Sequence, residues 1–367
     1  MKILHIINNL GSGGAEKLIE ETIPLLNNNS GLLVELLLLT DKDNVFEKAL
    51  KSAHIKIGII PLKKMRSPLN IFYIRNYIIQ GAYDIVHVHL FPAQYWTAMA
   101  CMLIFKNKPR LITTEHNTTN RRRKKKYFRY IDQFIYSKID KIVSISDATK
   151  RSIDSWLNLT SKNAMKSVVI ENGINLGKFK SAEEYYKHDI NVEFSNETKL
   201  LCMVGRFTTQ KDHQTLIKAL ARLPEYIHLL LVGEGEQKDV YESLALKLEV
   251  DDRVHFLGFR NDIERILKTV DMVILSSKWE GFGLAALEGM SSGKLVLGTN
   301  VEGLAEVIGD EDLLFEVGND RELAEKIMMY LNDTQLYLKK TNAGLIRSSK
   351  YSISNMTARY IELYQKV

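Results

Sequence analysis

The chain has 367 residues, which at roughly 150 residues per domain gives a prior of two domains. With 45% hydrophobic and 26% charged residues it has enough apolar surface to offset chain entropy, so a disordered or fibrous chain is excluded. The net charge of +6 is mild, and only two cysteines occur, Cys101 and Cys202, far apart in apolar surroundings. That excludes a disulfide framework and a cysteine-based zinc site, and points to a reducing compartment.

Met1-Lys2-Ile3-Leu4-His5 runs straight into a strand-like segment without the long apolar core of a signal peptide. The longest apolar stretches, 32–39 interrupted by Glu35 and 91–105 carrying Gln94, fall short of the about 20 residues that span a bilayer. A cytosolic location is the expectation. In chain order the predicted strands are 2–7, 33–39, 55–61, 84–89, 110–114, 141–145 and 167–170, then 199–204, 228–232, 254–257, 272–275, 295–298 and 313–315. Most are continuous apolar runs, the mark of parallel strands covered on both faces by helices. Alternation with helical segments predicts an α/β protein built of doubly wound units. The polar segment 171–199, with Asn172-Gly173, breaks the rhythm and reads as an interdomain linker. It divides the chain into domains 1–175 and 176–351, with a C-terminal helix at about 352–367 packing back on the first. Ligands of open α/β sheets bind outside the carboxyl ends of the strands, so a cleft between the domains is the expected site.

Gly11-Ser12-Gly13-Gly14-Ala15-Glu16 follows the first strand and precedes a helix predicted over 17–26. Such a loop serves as a plain turn or as an anion site at a helix start. A dinucleotide fingerprint would need a third glycine where Glu16 stands, so a dehydrogenase is disfavoured. Val204-Gly205-Arg206 closes the first strand of the second half, and Thr208-Thr209-Gln210-Lys211-Asp212 leads into a helix. Arg206 and Lys211 there are either solvated cations or a pair that neutralises a diphosphate. Glu280-Gly281-Phe282-Gly283-Leu284-Ala285-Ala286-Leu287-Glu288 follows strand 272–275. Its glycines expose N–H groups at a helix start, and its two carboxylates suit sugar or ribose hydroxyls.

With these motifs in this order, the chain resembles the retaining glycosyltransferases of the GT-B fold, closest to the group 1 set also called family 4. The resemblance covers essentially the whole chain. It implies two Rossmann-like domains facing a cleft, and transfer of a sugar from a nucleotide-sugar donor. By that resemblance Arg206 and Lys211 contact the donor diphosphate, Glu288 the ribose, and Glu280 lies beside the sugar ring. Backbone N–H groups of Phe282, Gly283 and Leu284 hold sugar and phosphate, and Phe259 and Arg260 line the base. In the first domain Gly14 closes over the phosphates and His116 is the active-site histidine. No cofactor and no metal are expected, because cations and a helix dipole can stabilise the leaving diphosphate. A UDP-sugar and a lipid-linked saccharide acceptor in surface polysaccharide synthesis are the favoured substrates. Two alternatives stand beside this reading: a nucleotide-sugar epimerase on the same fold, and a non-catalytic donor-binding subunit.

Asp41-Lys42-Asp43 has the form of a metal-binding Asp-x-Asp, but lies in a loop outside every family motif. His87 and His89 lie at the end of one strand and point to the same side, as core packing or as lining of the acceptor cleft. The run Arg121, Arg122, Arg123, Lys124, Lys125, Lys126 precedes a predicted core helix in which Tyr127, Ile131, Phe134 and Ile135 recur at helical spacing. These six cations read as an exposed loop, either simply solvated or docked on the anionic cytoplasmic face of the membrane. Nucleic acid is not an expected partner, since no recognition helix is evident.

Overall fold

In the computed structural model the described residues are 1–119, 121–159 and 164–367, with the backbone alone at Arg121, Lys124 and Ala164. The chain divides into two compact units, Met1–Gly173 with Ile353–Val367, and Ile174–Ser352. Among the described residues no helix is long and apolar enough to cross a membrane.

The first unit is built on a parallel sheet of β1 (Lys2–Ile7), β2 (Leu33–Leu38), β3 (Ile57–Ile59), β4 (Ile85–His89), β5 (Arg110–Glu115), β6 (Lys141–Ser144) and β7 (Ser167–Val169). Their order is β3-β2-β1-β4-β5-β6-β7, so the direction of winding reverses between β1 and β4. Leu4, Ile6, Leu37, Val86, Val88 and Leu111 are fully buried, as continuous apolar strands between helical layers require. Glu35, which interrupts the apolar run of β2, is buried as well. Its carboxylate accepts from the Tyr83 hydroxyl at 2.6 Å and pairs with Lys56 at 3.0 Å and Lys2 at 3.2 Å. The C-terminal helix Ile353–Lys366 packs against the helix Gly14–Asn27.

The second unit repeats the plan with β8 (Lys199–Val204), β9 (Ile227–Val232), β10 (Val254–Gly258), β11 (Met272–Leu275), β12 (Leu295–Thr299) and β13 (Leu314–Phe315). The order β10-β9-β8-β11-β12-β13 reverses between β8 and β11.

Two expectations need correcting. Segment 171–199, read as an interdomain linker, does hold the boundary between the units, at Gly173 and Ile174, but from Ile174 onward it is an ordered part of the second unit. Ile174 bridges to Ser352, and a helix over Leu176–Ser181 is capped by the Asn175 side chain. Phe179 and Phe194 are buried, and Lys187 pairs with Asp271 at 3.2 Å. Widely spaced apolar anchors in a polar stretch sew it onto the second unit. The helix Phe128–Ser137 is also not a simple core helix. It buries Asp132, Ile135 and Tyr136, whereas Tyr127, Tyr130, Ile131 and Phe134 are exposed. Two apolar stripes share the segment, and periodicity does not say which one meets the sheet.

Candidate active site

In the second unit the loops after β8 and β11 come together at the carboxyl ends of the strands where the winding reverses, the usual ligand position of such sheets. Three contacts tie them. Gln210 Nε2 donates to the Trp279 carbonyl at 2.9 Å, Lys278 N to the Gln210 carbonyl at 2.8 Å, and Ser276 Oγ to the Asp212 carbonyl at 2.9 Å. Asp212, in the left-handed region at φ 52, turns the chain into the helix His213–Leu220. Its buried carboxylate accepts from Thr215 Oγ1 at 2.6 Å and pairs with Lys278 at 3.2 Å.

This scaffold brings Lys211 and Glu280 into direct contact, Nζ to Oε1 at 2.5 Å. The same oxygen accepts from Ser277 Oγ at 2.7 Å. Glu280 is buried, and the Lys211 stem lies against Gly205. An ammonium has three donors, so Lys211 can keep Glu280 and still donate to a phosphate oxygen. Arg206 is exposed and has no ion pair among the described residues, so its guanidinium is available to an anion.

The helix Leu284–Ser291 begins beside this pair. Gly283 caps it at φ +101, a conformation that favours glycine, and the first N–H groups of a helix lack intrahelical acceptors. Phe282 turns its ring inward, edge-on to Tyr351 at 5.6 Å, so only its backbone can serve a ligand. Glu288 is half-buried on the second turn. Phe259 and Arg260 follow β10 at the edge of the sheet, two strands from β8. Arg260 is anchored by two bonds to Asp262, at 2.8 and 2.5 Å. That hydrogen bonding raises the arginine above its ordinary value and helps hold Asp262 at about 2.

Two contributors went unread in the sequence. Ser277 fixes the Glu280 carboxylate. Gly303 lets a neighbouring helix approach the Glu280 backbone, where a Cβ would stand 2.6 Å from its carbonyl oxygen. The Ser276-Ser277 pair closing an apolar strand was the available signal for the first. Nothing local announces the second.

In the first unit, Gly14 is the exposed first residue of its helix, and Glu16 is buried at the third helical position, where a capping carboxylate belongs. His116 is half-buried just past β5, with Nε2 at 3.1 Å from His89 Nδ1. Burial pushes His116 down to about 4. His87 and His89 are fully buried core residues. Asp41 is paired with Lys63 at 2.5 Å.

The basic run is not uniform. Residues 121–124 form a 3₁₀ turn, and the Arg121 and Lys124 side chains lie outside the described residues. The Arg122 guanidinium stacks 4.3 Å from the Phe91 ring and 4.8 Å from the Tyr95 ring, and bonds the buried Asp132 at 3.2 Å. Arg123 donates to Thr118 O at 2.8 Å and Ser152 Oγ at 2.7 Å, and lies 3.8 Å from the buried Glu115. Both arginines are therefore structural counter-ions of buried carboxylates, which corrects their expected role on a membrane. Lys125 and Lys126 are exposed.

Comparison with solved structures places this architecture. An Anabaena protein, HepE, solved with UDP and glucose, superposes with a TM-score of 0.85 over 100% of both chains at 21% identity. A sucrose-phosphate synthase from Thermosynechococcus elongatus gives 0.84 at 18% identity, over 100% of this chain and 99% of the other. At these identities the likeness carries the fold alone, which is GT-B, with two Rossmann-like domains. The model for "Glycosyltransferase Family 4" matches residues 12–178, and that for "Glycosyl transferases group 1" matches 187–346. The chain belongs to the group 1 glycosyltransferases. A Campylobacter jejuni N-acetylgalactosamine-N,N'-diacetylbacillosaminyl-diphospho-undecaprenol 4-alpha-N-acetylgalactosaminyltransferase is 27% identical over 98% of this chain and 99% of its own. A Bacillus anthracis N-acetyl-alpha-D-glucosaminyl L-malate synthase is 28% identical, over 69% of this chain and 67% of its own.

Proposed function

We infer that this glycosyltransferase moves a sugar from a UDP-sugar to a lipid-linked saccharide with retention of configuration, and without a metal. The observation that carries the reading is the Lys211–Glu280 pair, held at 2.5 Å beside the helix start at Gly283 and the exposed Arg206. Lys211, Arg206 and the helix N-terminus stabilise the diphosphate as it leaves, with charge already in position before reaction. Glu280, locked by Lys211 and Ser277, addresses a sugar hydroxyl, and Glu288 a ribose hydroxyl. In the first unit His116 contacts the donor sugar. The acceptor class is favoured by the Campylobacter relative, whose name describes a diphospho-undecaprenol-linked saccharide.

Attachment to the cytoplasmic face of an anionic membrane belongs to the same reading, in a revised form. The exposed stripe Tyr127, Tyr130, Ile131 and Phe134 follows the exposed Lys125 and Lys126, and Lys138 lies 4.9 Å over the Phe134 ring. An apolar stripe bordered by cations suits the headgroup boundary better than cations alone.

The test is incubation with a panel of UDP- and GDP-sugars, with and without a lipid-linked saccharide extract, following nucleotide release and the anomeric configuration of the product. Acceptor-dependent release of UDP with a retained anomer is expected. Release of nucleotide or isomerised sugar without acceptor would favour the epimerase and overturn this reading.

A further inference from the structure

The first unit holds a cluster that sugar transfer as described does not use. His5 on β1 is the register partner of His87 on β4, at the point where the winding of the sheet reverses. Together with His89 they are buried, and their rings join a continuous line of hydrogen bonds. His116 Nε2 lies 3.1 Å from His89 Nδ1, and His89 Nε2 lies 3.1 Å from His5 Nδ1. His5 Nε2 is 3.2 Å from the Tyr364 hydroxyl, which is 2.7 Å from His87 Nδ1. His87 Nε2 is 2.7 Å from Thr114 Oγ1, and Thr114 Oγ1 is 3.3 Å from the Tyr360 hydroxyl. Both tyrosines come from the C-terminal helix.

Burial keeps these rings neutral near pH 7. It pushes His5 to about 3 and His116 to about 4, and holds His87 and His89 well below the ordinary histidine value. A neutral imidazole carries one N–H and one lone pair, and a hydroxyl one O–H. A hydroxyl can also accept twice, but turning the Thr114 or Tyr364 proton out of the line would leave a buried O–H with no acceptor among the described residues, so each link holds one proton and the direction of any link fixes the direction of all. Only two arrangements exist. In the first, Tyr360 donates to Thr114, Thr114 to His87 Nε2, His87 Nδ1 to Tyr364, and Tyr364 to His5 Nε2. His5 Nδ1 then donates to His89 Nε2, and His89 Nδ1 to His116 Nε2. In the reverse arrangement Tyr360 becomes the acceptor, and its own O–H has no acceptor among the described residues although the side chain is buried. Orphaned buried donors are rare because they cost the full desolvation of the group. The first arrangement places its unpaired N–H on His116 Nδ1, at a half-buried ring whose Nδ1 is not fully covered, and so it wins.

We propose that this chain, anchored in the C-terminal helix, locks His116 in its Nδ1–H tautomer, so that the ring can only donate, from Nδ1, to an oxygen of its ligand. His5, His89 and Tyr364 are thereby positioning residues for His116. The assignment of His116 to the donor sugar is taken from the reading above; the lock itself does not depend on it. A metal is the competing use of these rings, because ligand atoms of His5, His87 and His89 lie within 4.8 Å of one another. Yet every ring nitrogen of the three already has a partner in the chain, and no member is a carboxylate that would balance a dication. An adjoining cavity of about 20 Å³ is lined by every side chain of this line except Thr114 as well as by Ala15, Leu18, Ile19 and Ile23; its wall is almost wholly apolar surface, so a water there would lack the two to four polar partners that hold one.

The experiment is two-bond ¹H–¹⁵N spectroscopy of the full chain labelled at histidine, at neutral pH, which separates protonated from unprotonated ring nitrogens. All four rings are expected as single Nδ1–H tautomers, the reverse of the Nε2–H form that a free imidazole prefers. Tyr364→Phe cuts the chain in its middle, and a second, Nε2–H population is expected at His116. An Nε2–H or rapidly exchanging His116 in the wild type overturns the proposal without recourse to any variant. So does a His116 tautomer that Tyr364→Phe leaves unchanged, or stoichiometric zinc bound to these rings in the purified protein. Sugar transfer is measured in parallel. A locked Nδ1–H tautomer with transfer unaffected by His116→Ala supports the lock and overturns only the role given to His116.

Discussion

Replacing Arg122 by glutamine separates a structural cation from a membrane-facing one. The side chain is 12% exposed and its partner Asp132 is 2% exposed, so the pair is buried. Removing one member of a buried pair costs about 3–5 kcal/mol, because the other charge is left uncompensated. Here Asp132 keeps its bonds from the Tyr95 hydroxyl and from Trp156 Nε1, the latter at 2.8 Å, which favours the lower end of that range. Loss of the stacking on Phe91 and Tyr95 adds up to about 1 kcal/mol. A total of roughly 3–4 kcal/mol corresponds to a fall in Tm of roughly 6–16 °C for a domain of this size. The control is the double change Lys125→Gln and Lys126→Gln, at exposed positions where about 0.5 kcal/mol is the usual limit. Thermal unfolding by circular dichroism and co-sedimentation with anionic vesicles, at low and high salt, read the two effects apart. Arg122→Gln is expected to melt early and, below its Tm, to sediment like wild type. The double variant is expected to melt like wild type and to bind vesicles more weakly, with less dependence on salt. An Arg122→Gln protein with unchanged Tm and lost vesicle binding would refute the reasoning and return the arginine to the surface.

Lys211→Ala and Glu280→Ala are each expected to lower kcat by about 10²–10³ with the fold retained, checked by steady-state transfer at saturating donor and by circular dichroism. Transfer is expected to survive EDTA; loss of activity restored by Mn²⁺ or Mg²⁺ would revive a metal role for Asp41 and Asp43. Burial pushes Glu35 upward, but Tyr83, Lys56 and Lys2 together hold it below its ordinary value of 4.5. A carboxylate depressed on folding adds stability above its unfolded pKa and loses it as pH falls through the folded one. Glu35→Gln should therefore lower Tm near neutrality, with the deficit shrinking as the pH drops below about 4.5, measured by melting curves across the acid range.

The architecture was legible in the sequence because long-range information was not needed to see it. Continuous apolar runs such as Leu36–Leu39 and Leu200–Met203 are what a strand covered on both faces requires, wherever it sits in the sheet. The two segments proposed to hold the donor stood out in the sequence for a similar reason. Gly205 to Lys211 and Glu280 to Glu288 are each local in the chain, and their chemistry follows from residue type and a helix start. Everything that depended on which segments meet was not. That Lys211 touches Glu280, 69 residues on, rests on two loops being tied at the carboxyl ends of adjacent strands. Six consecutive cations look alike as text, yet Arg122 and Arg123 face buried carboxylates whereas Lys125 and Lys126 face solvent. The helix that follows presents its aromatic stripe outward because periodicity fixes which residues share a face, and packing decides what covers it. His5, His87, Tyr360 and Tyr364 form one line only because a parallel register aligns β1 with β4 and the last helix folds back on the first unit. Residue type determined what these side chains could do; tertiary structure decided their neighbours, and a buried proton goes where its neighbours leave an acceptor.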